Sequence, residues 1–181
     1  MNELTEKKLD SRRIYEGRIL NLRVDRVLLP NDREGMREVV EHAPAVAILA
    51  TNESGEVLLI EQFRYAAGER LLELPAGIVE TGEDPQQTAV RELQEETGWK
   101  PGSIRKIATF FTSPGFSDEL LLLYYADHLQ ESKLPQDDDE FIVPRFCSRE
   151  EIANLITDGR IRDAKTLAAL CWWLSRRGET G

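Results

Sequence analysis

The stretch DPQQTAVRELQEETG, residues 84–98, most narrows what this chain can fold into. It carries a full set of helix signals: Asp84 is an N-cap type, Pro85 stands at the first helical position and Gly98 follows the last turn. Ala89, Val90, Leu93 and Thr97 supply an inward face. Glu92, Glu95 and Glu96 lie three and four residues apart and share another face. The fold must bury one side of this helix and accommodate three like charges on the other. Two carboxylates ~5.5 Å apart repel by roughly 0.8 kcal/mol in water and by about 3 kcal/mol at an effective dielectric of 20. On an open surface that cost is small and the segment is a solvated acidic face. In a cleft the cost grows, and a divalent cation with a preference for oxygen ligands relieves it.

Around this helix the sequence reads as strands and two further helices. Residues 12–29 alternate in places and predict two strands, PNDREG (30–35) a turn and REVVEH (37–42) a third short strand. Pro44 marks a junction. AVAILAT and VLLIEQFRY are buried-strand patterns, with NESGE expected to join them as a hairpin turn. LLELPAG, RKIATFF, ELLLLYYAD and FIVPRF predict further strands. Ser148 and Glu151 form a capping box for a helix over 149–158, ended by Gly159. Asp163 caps a last helix over about 164–176, whose positions 164, 167, 168, 171 and 174 form an apolar stripe, widened by Leu170, Trp172 and Trp173 and expected to pack on the core. Strands interleaved with helices give an α/β class with a mixed sheet.

Composition limits the function classes. With 181 residues and 41% hydrophobic content, the chain can form one domain, or one domain with a small extension. No apolar run approaches the ~20 residues that span a bilayer, and the start, MNELTEKKLDSRR, lacks an apolar signal core, so the expected location is the cytoplasm with no membrane partner. Cys147 and Cys171 lack metal-pair spacing and read as small hydrophobes. His42 and His128 fall in no motif that uses histidine and read as structural residues. A formal net charge of −10 argues against a nucleic-acid partner. An anionic substrate would need cations or local arginines.

The full stretch GIVETGEDPQQTAVRELQEETGW, Gly77 to Trp99, resembles the signature of the Nudix hydrolases. That signature is G, five residues, E, seven residues, R-E, an aliphatic, one residue, E-E, one residue, G and a bulky apolar residue; all nine specified positions over 23 residues are filled. Trp99 takes the last place, where aliphatics are more usual. The resemblance implies a Nudix fold, an α/β/α sandwich with a mixed sheet. It implies that Glu92 and Glu96 bind two or three Mg²⁺ (Mn²⁺ as a substitute). Glu95 would share in this or act through water, Glu83 would support the cluster, Arg91 would orient the carboxylates and the Ala76 carbonyl would add a ligand. Gly77 then lets the backbone approach the metal closely.

Three stretches outside the box resemble the ADP-ribose pyrophosphatase subfamily: EQFRY (61–65), TSPGFSDE (112–119) and the N-terminal segment with RILNL and REVVEH. They imply hydrolysis of ADP-ribose to AMP and ribose 5-phosphate. Another nucleoside diphosphate sugar, such as a GDP-sugar, is the alternative substrate. A non-catalytic ADP-ribose-sensing module is the alternative of another class, disfavoured because the box keeps all its carboxylates. Arg64 is a strand-edge charge on the plain reading and a diphosphate-binding cation on the functional one. Ser113, Pro114 and Gly115 are a plain turn on the bland reading and, on the functional one, fix a loop that lines the sugar pocket; Phe116 either stacks on the substrate or packs inward. The acidic run QDDDE, a solvated loop by composition, offers Glu140 as the residue that activates water, with Asp139 as runner-up. Residues 1–43 form the expected β-rich dimerisation segment and 44–181 the Nudix domain. In the subfamily that segment reaches a partner's site in a homodimer, which makes Ile19, Arg37 and Glu38 candidate substrate contacts.

Overall fold

The structure, a computed structural model, describes residues 4–135 and 141–176. Its strands in chain order are β1 (Lys7–Glu16), β2 (Leu20–Leu28), β3 (Glu34–His42), β4 (Ala45–Ala50), β5 (Val57–Arg64), β6 (Glu69–Glu73), β7 (Ala76–Ile78), β8 (Trp99–Lys100), β9 (Ser103–Phe111), β10 (Leu120–Asp127), β11 (Gln130–Glu131) and β12 (Ile142–Cys147). The helices are α1 (Pro85–Thr97), α2 (Arg149–Thr157) and α3 (Ala164–Ser175). Two compact units result: Met1–Pro44 with Phe110–Leu120, and Ala45–Thr109 with Leu121–Gly181.

The first unit is a three-stranded antiparallel sheet in the order β1-β2-β3, joined by the loop before β10. Every residue of β1 is exposed, including Leu9, Ile14 and Tyr15. β1 begins at Lys7, earlier than the pattern suggests, because the polar run KKLDSRR still pairs its backbone with β2. The loop docks on β3: Val40 N–H donates to the Phe116 carbonyl (2.8 Å), Asp118 N–H donates to the Val40 carbonyl (3.1 Å) and His42 N–H donates to the Asp118 carboxylate (2.9 Å).

The second unit holds a four-stranded sheet, β7-β4-β10-β9, and a three-stranded sheet, β12-β5-β6. β4 runs parallel to β10 and antiparallel to β7, so the sheet is mixed, as the element order predicts. All six residues of β4 are buried. Since alternate strand residues point to opposite faces, β4 is covered on both. Val46, Ile48 and Ala50 pack with Ala89 and Leu93 of α1, while Ala45, Ala47 and Leu49 are buried on the other face. α1 also packs on β7 and β12, and α3 packs on β4 and β6. Trp99 meets Phe146 edge to face, ring centres 5.7 Å apart, which accounts for an aromatic at that place.

Two expectations need correction. NESGE makes a tight turn, but β4 and β5 go to different sheets and share only the Thr51–Val57 bridge beside it. A turn signal specifies a reversal, not the partner of each strand. On α3 the buried residues are Thr166, Ala169 and Leu170; 164, 167, 168 and 171 face outward. The helix is apolar nearly all round, so periodicity does not choose its face. Cys171 is therefore exposed, whereas Cys147 is buried. His128 sits in a turn at φ 53° with its ring mostly exposed.

Candidate active site

The N-terminus of α1 is set by Asp84, whose carboxylate accepts from Gln86 N–H (3.0 Å) and Gln87 N–H (3.1 Å). Its end is set by Gly98 at φ 79°, a left-handed cap that favours glycine. Ala89 and Leu93 seat the helix against β4, and this fixes which way its remaining faces point. On the adjoining strand, β4 pairs Val46 with Gly77 and Ala47 with Ala76, and Ile48 N–H donates to the Pro75 carbonyl (2.9 Å). A helix face and a backbone corner, both anchored on β4, thereby meet.

Glu96 points into that corner. It is 5% exposed, and its Oε2 accepts from Ala76 N–H at 2.9 Å. Glu92 lies against Gly77: a Cβ added there would stand 2.5 Å from Glu92 Cγ and closer still to the carboxylate. Only a residue without a side chain leaves Glu92 that position. Arg91 gathers the rest. Its Nε and Nη2 donate to the two oxygens of Glu83 (both 3.1 Å), and its Nη1 lies 2.8 Å from both Glu95 Oε2 and Glu92 Oε1. Those hydrogen bonds hold the Glu83 carboxyl below its ordinary pKa and, Glu83 first, raise the Arg91 guanidinium above its own.

The crowding of like charge in RELQEETG is thus divided between a guanidinium and a backbone donor. The division is incomplete: Glu83, Glu92, Glu95 and Glu96 set four negative charges against the one positive charge of Arg91. Among the described residues no three His, Cys, Asp or Glu side chains already converge as a metal nest, since the carboxylates are turned onto Arg91 and Ala76. The donors still suit a hard divalent cation: several carboxylate oxygens with excess negative charge, beside a glycine whose bare backbone admits Glu92.

Arg64, at the end of β5, does not stand loose. Its Nε and Nη2 fork onto Glu73 Oε1 (2.7 Å) and Oε2 (2.9 Å), while 42% of the side chain remains exposed. The Glu73 bonds above all, with the charge of Glu96 also contributing, raise its pKa. Glu73 was missed as a candidate. Its only sequence signal is an acid placed between Leu72 and Leu74 in LLELPAG.

The other candidates belong to the first unit. Ile19 is 62% exposed and Phe116 58%. Gly115 is exposed with open space where a Cβ would be. Arg37 and Glu38 are exposed on β3, and Arg37 is ion-paired with Glu6. Phe116 therefore does not pack inward; its backbone carbonyl holds β3. Glu140 and Asp139 lie outside the described residues.

Comparison with known proteins agrees with this geometry. A model described as the NUDIX domain matches residues 41–170, and one described as the nucleoside diphosphate sugar hydrolase N-terminal domain matches residues 6–40. The chain is 39% identical to an ADP-ribose pyrophosphatase of Bacillus subtilis, covering 94% of this chain and 93% of that protein. It is 40% identical to a methanol dehydrogenase activator of Bacillus methanolicus, covering 91% and 90%. A crystal structure titled as an ADP compounds hydrolase shares the fold, with a TM-score of 0.84 at 19% identity over 96% of each chain.

Proposed function

The chain belongs to the Nudix family of hydrolases, and from that premise we propose that it hydrolyses ADP-ribose to AMP and ribose 5-phosphate. The observation that carries the reading is the meeting of Glu92 and Glu96 with the Ala76–Gly77 backbone, beside the Arg91 cluster. ADP-ribose is preferred as substrate because a 39% identical relative that matches nearly end to end is named for it.

Nudix hydrolysis depends on divalent metal. Here Glu92, Glu96, the Ala76 carbonyl and Glu95, supported by Glu83, would hold two or three Mg²⁺, with Mn²⁺ able to substitute. Bound there, the metal supplies charge neutralisation for the diphosphate and lowers the pKa of water. The protein's own work is positioning. Arg91 keeps Glu83, Glu92 and Glu95 in register, Ala76 N–H fixes Glu96, and Arg64 presents a cation to the diphosphate. Glu140 takes the proton of the attacking water.

Residues 1–43 serve as a dimerisation segment and 44–181 as the catalytic domain. The fully exposed β1, with its apolar Leu9, Ile14 and Tyr15, supports pairing with a second copy. In that homodimer Ile19, Arg37, Glu38, Gly115 and Phe116 contribute contacts to the nucleotide or sugar. No helix among the described residues is long and apolar enough to cross a membrane; the location proposed for the enzyme is the cytoplasm.

The test is product analysis. The native chain with Mg²⁺ is expected to release AMP from ADP-ribose, and Glu96→Gln is expected to lower kcat by orders of magnitude while keeping the fold. Binding without AMP release would favour a sensing module. Faster turnover of a GDP-sugar in the same panel would replace the substrate and keep the chemistry.

A further inference from the structure

Glu73 is the least exposed carboxylate among the described residues, at 1%. Taking such a group out of water costs several kcal/mol unless it is paired and hydrogen-bonded. Two cations meet it. Arg64 grips both oxygens, and the Lys165 ammonium adds to Oε2. Burial pushes the Glu73 carboxyl up, but these partners more than offset it, and its pKa ends below the ordinary value.

The support continues into α3. Lys165 Nζ also lies 3.0 Å from Asp163 Oδ2. Asp163 caps the helix by accepting from Thr166 N–H (3.0 Å) and from the Thr166 hydroxyl. The same hydroxyl oxygen accepts from Leu74 N–H at 2.8 Å, tying α3 to the residue next to Glu73. A chain of hydrogen bonds thus runs from the start of α3 to the guanidinium of Arg64.

We propose that Glu73, held by Lys165 and the cap of α3, is a positioning residue that fixes Arg64 for the substrate diphosphate. This rests on the reading of Arg64 under Proposed function. An arginine at a strand end samples many rotamers. The two-point fork removes that freedom before substrate arrives and leaves the Nη1 amino group outside the fork. Lys165 has a separate effect. It bridges Glu73 Oε2 and Asp163 Oδ2, so Arg64, Lys165, Glu73 and Asp163 form a charge-balanced cluster in which Lys165 holds the Glu73 carboxylate in place.

Calorimetric binding of ADP-ribose in chelator tests this without metal or turnover. Glu73→Gln is expected to weaken binding about tenfold in the native background and less than twofold when Arg64→Ala is already present. Glu73→Asp, which keeps the charge, is expected to fold even if the amide variant does not and to recover part of the affinity. In the Mg²⁺-replete assay the loss is expected in KM rather than kcat. Native affinity in both Glu73 variants, or an equal loss with and without Arg64, would overturn the proposal, since a merely structural role lowers Tm without that coupling. Failure of the native chain to release AMP from ADP-ribose with Mg²⁺ present would instead overturn the parent reading, and this one with it.

Discussion

Gly77→Ala isolates the contact on which the site depends. The backbone at Gly77 lies outside the left-handed region, so alanine fits its conformation, and the three atoms nearest the new methyl all belong to Glu92. The methyl carbon would stand 2.5 Å from Glu92 Cγ. Ordinary carbon–carbon contacts lie at about 3.5–4.0 Å, so Glu92 must withdraw by roughly 1–1.5 Å. A flexible side chain does this for about 1 kcal/mol of rotamer strain, which for a chain of this size lowers Tm by about 2–4 °C. Catalysis is less forgiving: a displacement of ~1 Å at a reacting centre costs on the order of 100-fold. The expected result is a kcat about 100-fold lower with a folded, slightly less stable protein, measured by AMP release and differential scanning calorimetry. The double variant with Glu92→Gln should be no worse than Glu92→Gln alone, because both act through one carboxylate. A kcat within threefold of native, or full additivity in the double variant, would refute the reasoning.

Three further outcomes follow from the same geometry. Arg91→Met leaves Glu83, Glu92 and Glu95 facing one another; stability in chelator should fall by about 1–2 kcal/mol, and Mg²⁺ should raise Tm more than in the native protein, as read by calorimetry with and without metal. Asp84→Ala removes the acceptor for Gln86 and Gln87 N–H and should cost about 1 kcal/mol in denaturant unfolding. The folded-state pKa of Glu73 is depressed, so below the unfolded value of about 4.3 the unfolded chain binds the extra proton first. The stability Glu73 confers is therefore present above that pH and lost as pH falls through the folded pKa; Glu73→Gln should flatten the fall of Tm between about pH 5 and pH 2.

Much of the site was legible because its signals are local. The caps of α1, the spacing of its glutamates and the glycine at 77 are written within 23 residues, and helix geometry converts spacing into a shared face. The contacts of Arg91 are local in the same way, since Glu95 lies one turn on and Glu83 in the adjoining loop. The outward face of α3 was not legible, because Leu167 and Cys171 are as apolar as Ala169 and Leu170, and only packing on β4 and β6 separates them.

By itself, then, the sequence determined where α1 begins and ends, that its glutamates stand together and that a box of known chemistry lies there. The tertiary structure alone decided that Glu96 is buried against Ala76, that Glu92 rests where Gly77 has no side chain, and that Arg64 is gripped by Glu73 and, through it, by α3. The physical reason is range. Caps and periodicity act over three or four residues, whereas burial and ion pairing join groups as far apart in sequence as Glu73 and Lys165.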